Sequence, residues 1–164
     1  MNALNLPLVA RVRRNHALEH ATIHVLSEKR RPMNVVGRST FNGYYLYGDL
    51  STEQVLEAAH EAYDRLMAGE HQLAIHPNCG TNLVTAGSLA GLATFAVLGN
   101  SKKRGLNLLP NALLAATAAL ILAQPIGPRL QAYVTTLADL GDMTIKDVRR
   151  LDRRNLVVHF VETG

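Results

Sequence analysis

The spacing of apolar and polar positions predicts two amphipathic helices in the first 70 residues. Residues 7–29 alternate apolar and polar side chains at helical spacing, and basic residues followed by Pro32 close this segment. Ser51 followed by Gln54 matches a capping box, and the apolar stripe after it recurs at helical spacing. We therefore predict helices over 7–29 and 52–68.

Strands are predicted around these helices. Residues 35–41 and 44–47 read as two strands, and Asn42-Gly43 between them supplies the backbone angles of a two-residue hairpin turn. Residues 72–76 are predicted to form a third, short strand.

The end of the chain adds a second hairpin, with strands over 143–150 and 156–162 around a turn at 152–155. The predicted fold class is therefore α+β, a small α-β-β-α-β domain that a C-terminal β-hairpin completes.

A long apolar segment interrupts this domain. No Asp, Glu, Lys or Arg occurs over 72–101 or over 105–128, and each stretch can supply the roughly 17–25 residues that a spanning helix needs. We predict transmembrane helices over 82–99 and 106–126, joined as a hairpin. The alternative is a buried helical hairpin in a soluble protein, which rarely lacks charges over such a length.

The predicted domains are therefore an α/β domain over 1–81, a transmembrane hairpin over 82–128 and a C-terminal segment over 129–164 that packs on the first domain. Gly87 and Gly91 form a GxxxG pair. Such a pair joins either two helices of one chain or two chains in a homodimer.

Composition excludes several classes of protein. The chain has 164 residues and one cysteine, so an intramolecular disulfide framework is excluded. Its start lacks the basic region of a signal peptide. The net charge is +4, but no stacking-aromatic pattern or DNA-reading motif accompanies the basic residues, and we expect no nucleic-acid binding.

Two features of the sequence disagree about which side of the membrane holds the soluble segments. The loop Lys102-Lys103-Arg104 favours a cytoplasmic loop by the positive-inside rule. That arrangement would require about 80 N-terminal residues to cross the membrane without a signal peptide. We therefore expect a protein of the bacterial inner membrane, with the lipid bilayer as a partner and cytoplasmic soluble segments.

The first helix carries a pattern with metal chemistry. His16 and His20 are four residues apart, so both imidazoles project from one helical face, and Glu19 lies beside them in the order H-x-x-E-H. Two such histidines can bind Zn²⁺ while the carboxylate activates the metal-bound water. The helix is apolar nearly all round, so a buried Glu19 must be paired, neutralised or metal-bound. The alternative is a core in which Glu19 accepts hydrogen bonds from neighbouring histidines.

A catalytic zinc site needs a third protein ligand. His76 is the first candidate, because it ends a predicted strand just before the first transmembrane helix. Cys79 is the next, although Pro77 and Gly80 also suit a simple turn in which Cys79 packs as a small hydrophobe. The remaining candidates are His24, Glu57, Glu61, Asp139 and Asp142.

Two resemblances accompany these motifs. The stretch His16–His20 resembles the inverted zincin metallopeptidases, which implies a zinc site with Glu19 as base. The segments R-N-H-A-L-E-H-A-T-I-H at 14–24, F-N-G-Y-Y-L-Y-G-D at 41–49 and H-P-N-C-G-T-N at 76–82 together resemble an uncharacterised bacterial family of small two-helix membrane proteins. That resemblance implies the architecture and no activity.

The sequence thus leads to two hypotheses. The first is a membrane-anchored zinc hydrolase, a peptidase acting on a peptide or membrane-protein substrate near the bilayer surface. Its metal ligands are His16, His20 and His76, and Glu19 is the general base. The second is a non-catalytic membrane protein whose His/Glu cluster is structural or holds a structural metal.

Overall fold

The fold was analysed in a computed structural model that describes residues 3–29, 34–100, 106–151 and 156–164. The chain divides into two units, one formed by Met1–His76 with Ala132–Gly164 and one formed by Pro77–Gln131. Three sequence features lie outside the described residues. They are the basic loop at 102–104, the turn at 152–155 and the residues at 30–33 that close the first helix.

Both helices predicted for the first unit are present. Helix α1 spans Pro7–Lys29, and helix α2 spans Thr52–Met67. The capping box at α2 is formed in both directions, because the Ser51 side chain accepts from the Gln54 backbone N–H while the Gln54 side chain accepts from the Ser51 backbone N–H. Local signals therefore determine where α2 begins.

The four strands of the first unit form one antiparallel sheet. They are β1 (Val36–Thr40), β2 (Gly43–Tyr47), β3 (Ile145–Arg150) and β4 (Val158–Thr163), in the spatial order β1-β2-β4-β3. Both predicted hairpins are thus present, and β4 joins them by pairing with β2. The mixed helix and sheet content agrees with the α+β class.

The first hairpin turns one residue earlier than predicted. Thr40 pairs with Gly43, so Phe41 and Asn42 form the turn and Gly43 begins β2. Gly43 has φ +142°, and a Cβ there would collide with the backbone carbonyl of Val161 on β4. The glycine therefore serves the close approach of β4 as well as the turn.

The strand predicted over 72–76 is wrong. Residues His71–Ala74 form a 3-10 helix whose turns are closed by bonds from the Leu73 N–H to the Glu70 carbonyl and from the Ile75 N–H to the Gln72 carbonyl. Leu73 and Ala74 are buried in the same core as α1. Burial of these apolar side chains against a helix, rather than a sheet neighbour, explains the apolar pattern of this segment.

The core of the first unit lies between the sheet and the two helices. Helix α1 packs on α2, β1 and β2, and α2 packs on β3 and β4. Tyr44 and Leu46 alternate along β2 toward this core, and both are fully buried. The largest fully buried core side chains beside them are Leu18, Val25, Val55, Leu66, Leu140 and Val161.

Arg13 holds the start of α1 to the segment that follows α4. Its guanidinium donates to the backbone carbonyls of Leu4, Tyr133 and Thr136, and the residue is buried. Arg13 is therefore a structural cation.

We expect Arg13→Met to destabilise the first unit by about 2–3 kcal/mol, because three carbonyls lose a charged donor and the contact with the Thr136 carbonyl is buried. Thermal unfolding followed by circular dichroism in detergent measures this loss. Arg38→Met, at an exposed position on β1, is the matched control and should shift the melting temperature little. Equal shifts for the two variants would contradict the assigned role of Arg13.

The second unit consists of two helices, α3 (Gly80–Asn100) and α4 (Leu109–Leu130), which pack against each other. Both are long and apolar enough to cross a membrane, and they overlap the predicted transmembrane segments. Helix α4 continues past Pro125 and Pro128, so it ends later than the predicted boundary at 126. The proline at 125 therefore does not stop this helix, and the chain then forms a π-helical turn over Gln131–Thr135.

The close contact between α3 and α4 uses Gly127 rather than the GxxxG pair. A Cβ at Gly127 would collide with the side chain of Asn82, whose Oδ1 accepts from Gln131 Nε2 at 2.7 Å. A Cβ at Gly87 or Gly91 would meet nothing within 4 Å among the described residues. The GxxxG pair therefore does not join the two helices of this unit.

Candidate metal centre

Helix α1 carries a stripe of three histidines. His16, His20 and His24 are spaced by four residues, so successive turns bring their side chains to one side of the helix. The ring centroids of His16 and His20 are 4.3 Å apart, and a ring nitrogen of one lies within 4.8 Å of a ring nitrogen of the other. The pair predicted from the sequence therefore lies within reach of one ion.

His76 lies against this stripe. Its ring centroid is 5.7 Å from that of His20 and 5.0 Å from that of His24. His76 closely follows the 3-10 helix over His71–Ala74. This short helix packs against α1, so His76 lies beside the stripe. The four imidazoles form a row in the order His16, His20, His76, His24, which we call the histidine row.

Backbone carbonyls fix the tautomers of three members of the row. His16 Nδ1 lies 2.9 Å from the Thr135 carbonyl oxygen, and His20 Nδ1 lies 2.7 Å from that of Ala74. His24 Nε2 lies 2.9 Å from the carbonyl oxygen of Ile75. A carbonyl oxygen only accepts, so each of these nitrogens carries the proton and donates it. In the neutral ring, the opposite nitrogen then carries the lone pair that a metal requires.

One histidine of the row has a shifted pKa. His20 is 2% exposed, and the other three histidines are half-buried. Burial, and then the neighbouring His20 and His24, lower the pKa of His76 to about 4. His76 is therefore neutral near pH 7, and neutral imidazole is the state that ligates metal ions.

The carboxylate of Glu19 lies on the side of α1 that faces β1. It is 4% exposed, and it accepts a hydrogen bond from the Ser39 hydroxyl. A Cβ at Gly37 would collide with the same carboxylate. Among the described residues, no set of three ligand atoms close enough to share one ion includes Glu19, His24 or His76. The structure thus brings His20 and His76 together but turns Glu19 toward the sheet.

The acidic alternatives to His76 are engaged elsewhere. Glu57 and Glu61 both bind Lys29, at 2.8 and 2.7 Å. Asp142 lies 3.8 Å from Arg14, and Asp139 accepts from the backbone N–H of Gly141. These contacts belong to the packing of α1 against its neighbours and do not form a ligand set.

Cys79 immediately precedes α3 in the second unit. It is buried, and its Sγ accepts from the Thr81 backbone N–H at 3.4 Å. It stays an alternative ligand.

Several residues of the site were not found from the sequence. Ser39 and Gly37 accommodate Glu19, but nothing in their local sequence signals a partner 20 residues away. The carbonyls of Ala74, Ile75 and Thr135 carry no side-chain signal at all. The sequence does indicate His24, since its spacing from His20 repeats that of His20 from His16.

Comparisons with known proteins identify relatives for most of the chain. Residues 11–148 match the model of a domain of unknown function, DUF6391. An uncharacterized protein of Picosynechococcus sp. is 36% identical over 165 residues, which cover 92% of this chain and 78% of the relative. No solved structure matches. The expected resemblance to an uncharacterised family is confirmed, whereas no relative supports the resemblance to zincins. The chain belongs to the DUF6391 family.

Proposed function

We propose that the chain is a membrane-anchored zinc-dependent hydrolase, a peptidase that acts near the bilayer surface. His16, His20 and His76 bind the ion, and Glu19 is the general base. Bound zinc would lower the pKa of a water molecule to about 7 and polarise the substrate carbonyl. The protein's own part is to hold three neutral imidazoles and to exclude bulk water from them.

The observation that carries this proposal is the set of carbonyl contacts behind the histidines. Metal-ligating histidines nearly always donate their other ring N–H to a carbonyl or carboxylate, which fixes the tautomer and the ring orientation. His16 and His20 each donate in this way. The same contacts oppose a proton relay through these rings, because the donating nitrogen is committed to a carbonyl.

The membrane anchor rests on the surface of α3 and α4. Large apolar side chains cover both helices and are exposed, for example Leu83 at 77% and Phe95 at 74%. Thr85 is the buried exception among the described residues of the α3 span, whereas the core helix of a soluble protein is mostly buried. Exposed apolar surface of this extent requires a covering phase, and a lipid bilayer supplies it. Cytoplasmic soluble segments stay a prediction.

A second candidate function is a non-catalytic membrane protein with a structural metal. The position of Glu19 favours it, because its carboxylate accepts from Ser39 and packs against Gly37. A general base must reach the metal-bound water in the reactive state. Under this second candidate, Glu19 anchors α1 to β1 and the histidines alone hold the ion.

The two candidates differ in the effect of Glu19→Gln. We expect the zinc-loaded wild-type protein in liposomes to cleave members of a fluorogenic peptide library. Glu19→Gln should retain zinc and lower kcat by about 10²–10⁴-fold, the usual contribution of a general base. Glu53→Gln, at an exposed position on α2, is the control and should leave kcat unchanged. Absence of cleavage by the zinc-loaded wild type would favour the structural function.

We also propose that Gly87 and Gly91 form a homodimer contact in the bilayer, since their face of α3 is open within this unit. Replacing both with isoleucine should convert a crosslinkable dimer to monomer in liposomes at matched lipid dilution. Leu92→Ile is the control, because this exposed residue lies about 100° or more around the helix from both glycines. A double variant that crosslinks as efficiently as wild type would contradict the dimer.

A further inference from the structure

We propose that the outer face of the sheet, the side opposite to the core, binds single-stranded nucleic acid. Bases stack on Tyr45 and Tyr47, and Arg38 holds a phosphate of the same strand. This surface shares no residue with the proposed metal centre, so the inference holds or fails independently of the proposed function.

One row of side chains crosses the sheet through paired positions on all four strands. Its members, from β1 to β3, are Arg38, Tyr45, Phe160 and Arg149. Side chains alternate between the two faces of a strand, and Tyr44 lies in the core, so this row lies on the outer face. The row therefore has two aromatic rings in the middle and one guanidinium on each edge strand.

The aromatic rings of the outer face lie close together. Tyr47 is two residues from Tyr45 on the same side of β2, and the two ring centroids are 6.3 Å apart with an interplanar angle of 29°. The ring of Phe160 is 8% exposed and supports Tyr45 at a centroid distance of 4.7 Å. Both tyrosines are half-buried, so part of each ring is open to a ligand. Nucleobases of any type stack on such rings.

A cavity of about 180 Å³ lies over this part of the sheet. Its lining residues are Arg38, Thr40, Tyr45, Tyr47 and Val158. The lining thus combines two aromatic rings, an apolar side chain, a hydroxyl and a guanidinium, and no carboxylate of the described residues is among them. A planar base requires the rings and a phosphate requires the guanidinium, so the lining fits one nucleotide of a strand.

The charges on the outer face place the phosphate contact at Arg38. The carboxylates of Asp147 and Glu162 both pair with Arg149, at the opposite edge of the sheet. Arg38 is exposed, and within the described parts of the chain no residue forms an ion pair with it. Arginine binds phosphate through paired N–H groups, and the charge of Arg38 is available for this contact.

The sequence alone did not indicate this partner, because the aromatic group is assembled from distant segments. Phe160 is more than 100 residues from Tyr45 along the chain, and the pairing of β2 with β4 brings the two rings together. A stacking surface of this kind is visible only in the folded sheet.

Fluorescence anisotropy of the full chain in detergent tests this inference. The probes are labelled oligouridylate and oligothymidylate of about eight nucleotides, a usual length for a single-strand site. We expect Tyr45→Ala and Tyr47→Ala each to weaken binding by about 10-fold, the usual loss when a stacking ring is removed. Tyr45→Phe retains the ring and should bind as wild type does, which guards against a folding defect. Tyr133→Ala, at a tyrosine outside the sheet that is 75% exposed, is the matched control.

Salt dependence tests the role of Arg38. The affinity should fall as the salt concentration rises, because phosphate contacts release counterions. Arg38→Gln should reduce the slope of log affinity against log salt concentration by about 0.7, the share of one phosphate of a single strand. Arg129→Gln removes the same charge at an exposed position of α4 and should leave the slope unchanged.

Several results would overturn the inference. If folded wild type binds neither strand, or if Tyr45→Ala and Arg38→Gln both match wild type, the outer face is not a nucleic-acid site. If uridine monophosphate competes as tightly as the strand, the occupant is a free nucleotide. Equal affinity for the duplex that either strand forms with its complement would show that charge alone drives binding, without stacked bases.

Discussion

Replacing His20 with alanine is expected to weaken zinc binding by roughly 100-fold or more, the largest effect of any single substitution in the row. His20 is the most buried of the four histidines, and its ring lies beside both His16 and His76. It lies between these two rings, so no other side chain replaces it. Competition of the purified protein with a chromophoric chelator measures the affinity.

The control for His20→Ala is His60→Ala, on the exposed side of α2, which should leave the zinc affinity unchanged. His20→Ala also leaves the Ala74 carbonyl without its donor, which costs about 1–3 kcal/mol if water does not replace it. Circular dichroism must therefore show that the variant is folded. A folded His20→Ala protein with wild-type zinc affinity would contradict the site.

Gly37→Ala is expected to destabilise the first unit by about 1–3 kcal/mol, the usual cost of overpacking a buried position. The added Cβ would collide with the carboxylate of Glu19, which Ser39 holds in place. In a Glu19→Ala background the obstacle is gone, so the same substitution should cost less than about 0.5 kcal/mol. Denaturant unfolding of the four proteins of this double-mutant cycle measures the coupling free energy.

Gly80→Ala is the matched control for Gly37→Ala, since a Cβ at Gly80 meets nothing within 4 Å among the described residues. It should change the free energy of unfolding by much less. Equal costs of Gly37→Ala in the two Glu19 backgrounds would show that the carboxylate does not occupy the space beside β1. Glu19 would then be available to the histidine row in solution.

The local elements of the fold could be predicted because their signals are local. The capping pair Ser51 and Gln54 positions the start of α2, and helical spacing predicts the full length of α1. Asn42-Gly43 located the first hairpin, although its turn lies one residue earlier. The shift depends on the contact of Gly43 with β4, more than 100 residues away, which no local pattern encodes.

The wrong strand over 72–76 has a similar cause. A run of three apolar residues, Leu73 to Ile75, suits a buried strand or a buried 3-10 helix equally, and only the neighbouring element decides between them. Here the neighbour is α1, against which Leu73 and Ala74 pack. The prolines of α4 are the opposite case. Proline usually ends a helix, but α4, which packs against α3, continues through Pro125 and Pro128.

The site was predictable only where side chains carry the signal. The spacing of His16, His20 and Glu19 indicated metal chemistry, and the position of His76 before the apolar segment made it a candidate. The direction of the Glu19 carboxylate depends on Ser39 and Gly37 of β1, and the tautomers depend on backbone carbonyls. Such contacts arise from tertiary packing. A sequence motif can therefore identify which side chains could bind a metal, but it does not give the direction in which they point.

X-ray absorption at the zinc edge, on zinc-loaded protein in detergent, tests the metal centre most directly. The account predicts bound zinc with nitrogen neighbours at about 2.0 Å and the outer-shell scattering that several imidazoles produce. A sulfur neighbour at about 2.3 Å would contradict His76 as third ligand and assign Cys79 in its place. Folded protein that retains no zinc, or that binds it through oxygen alone, would contradict the account.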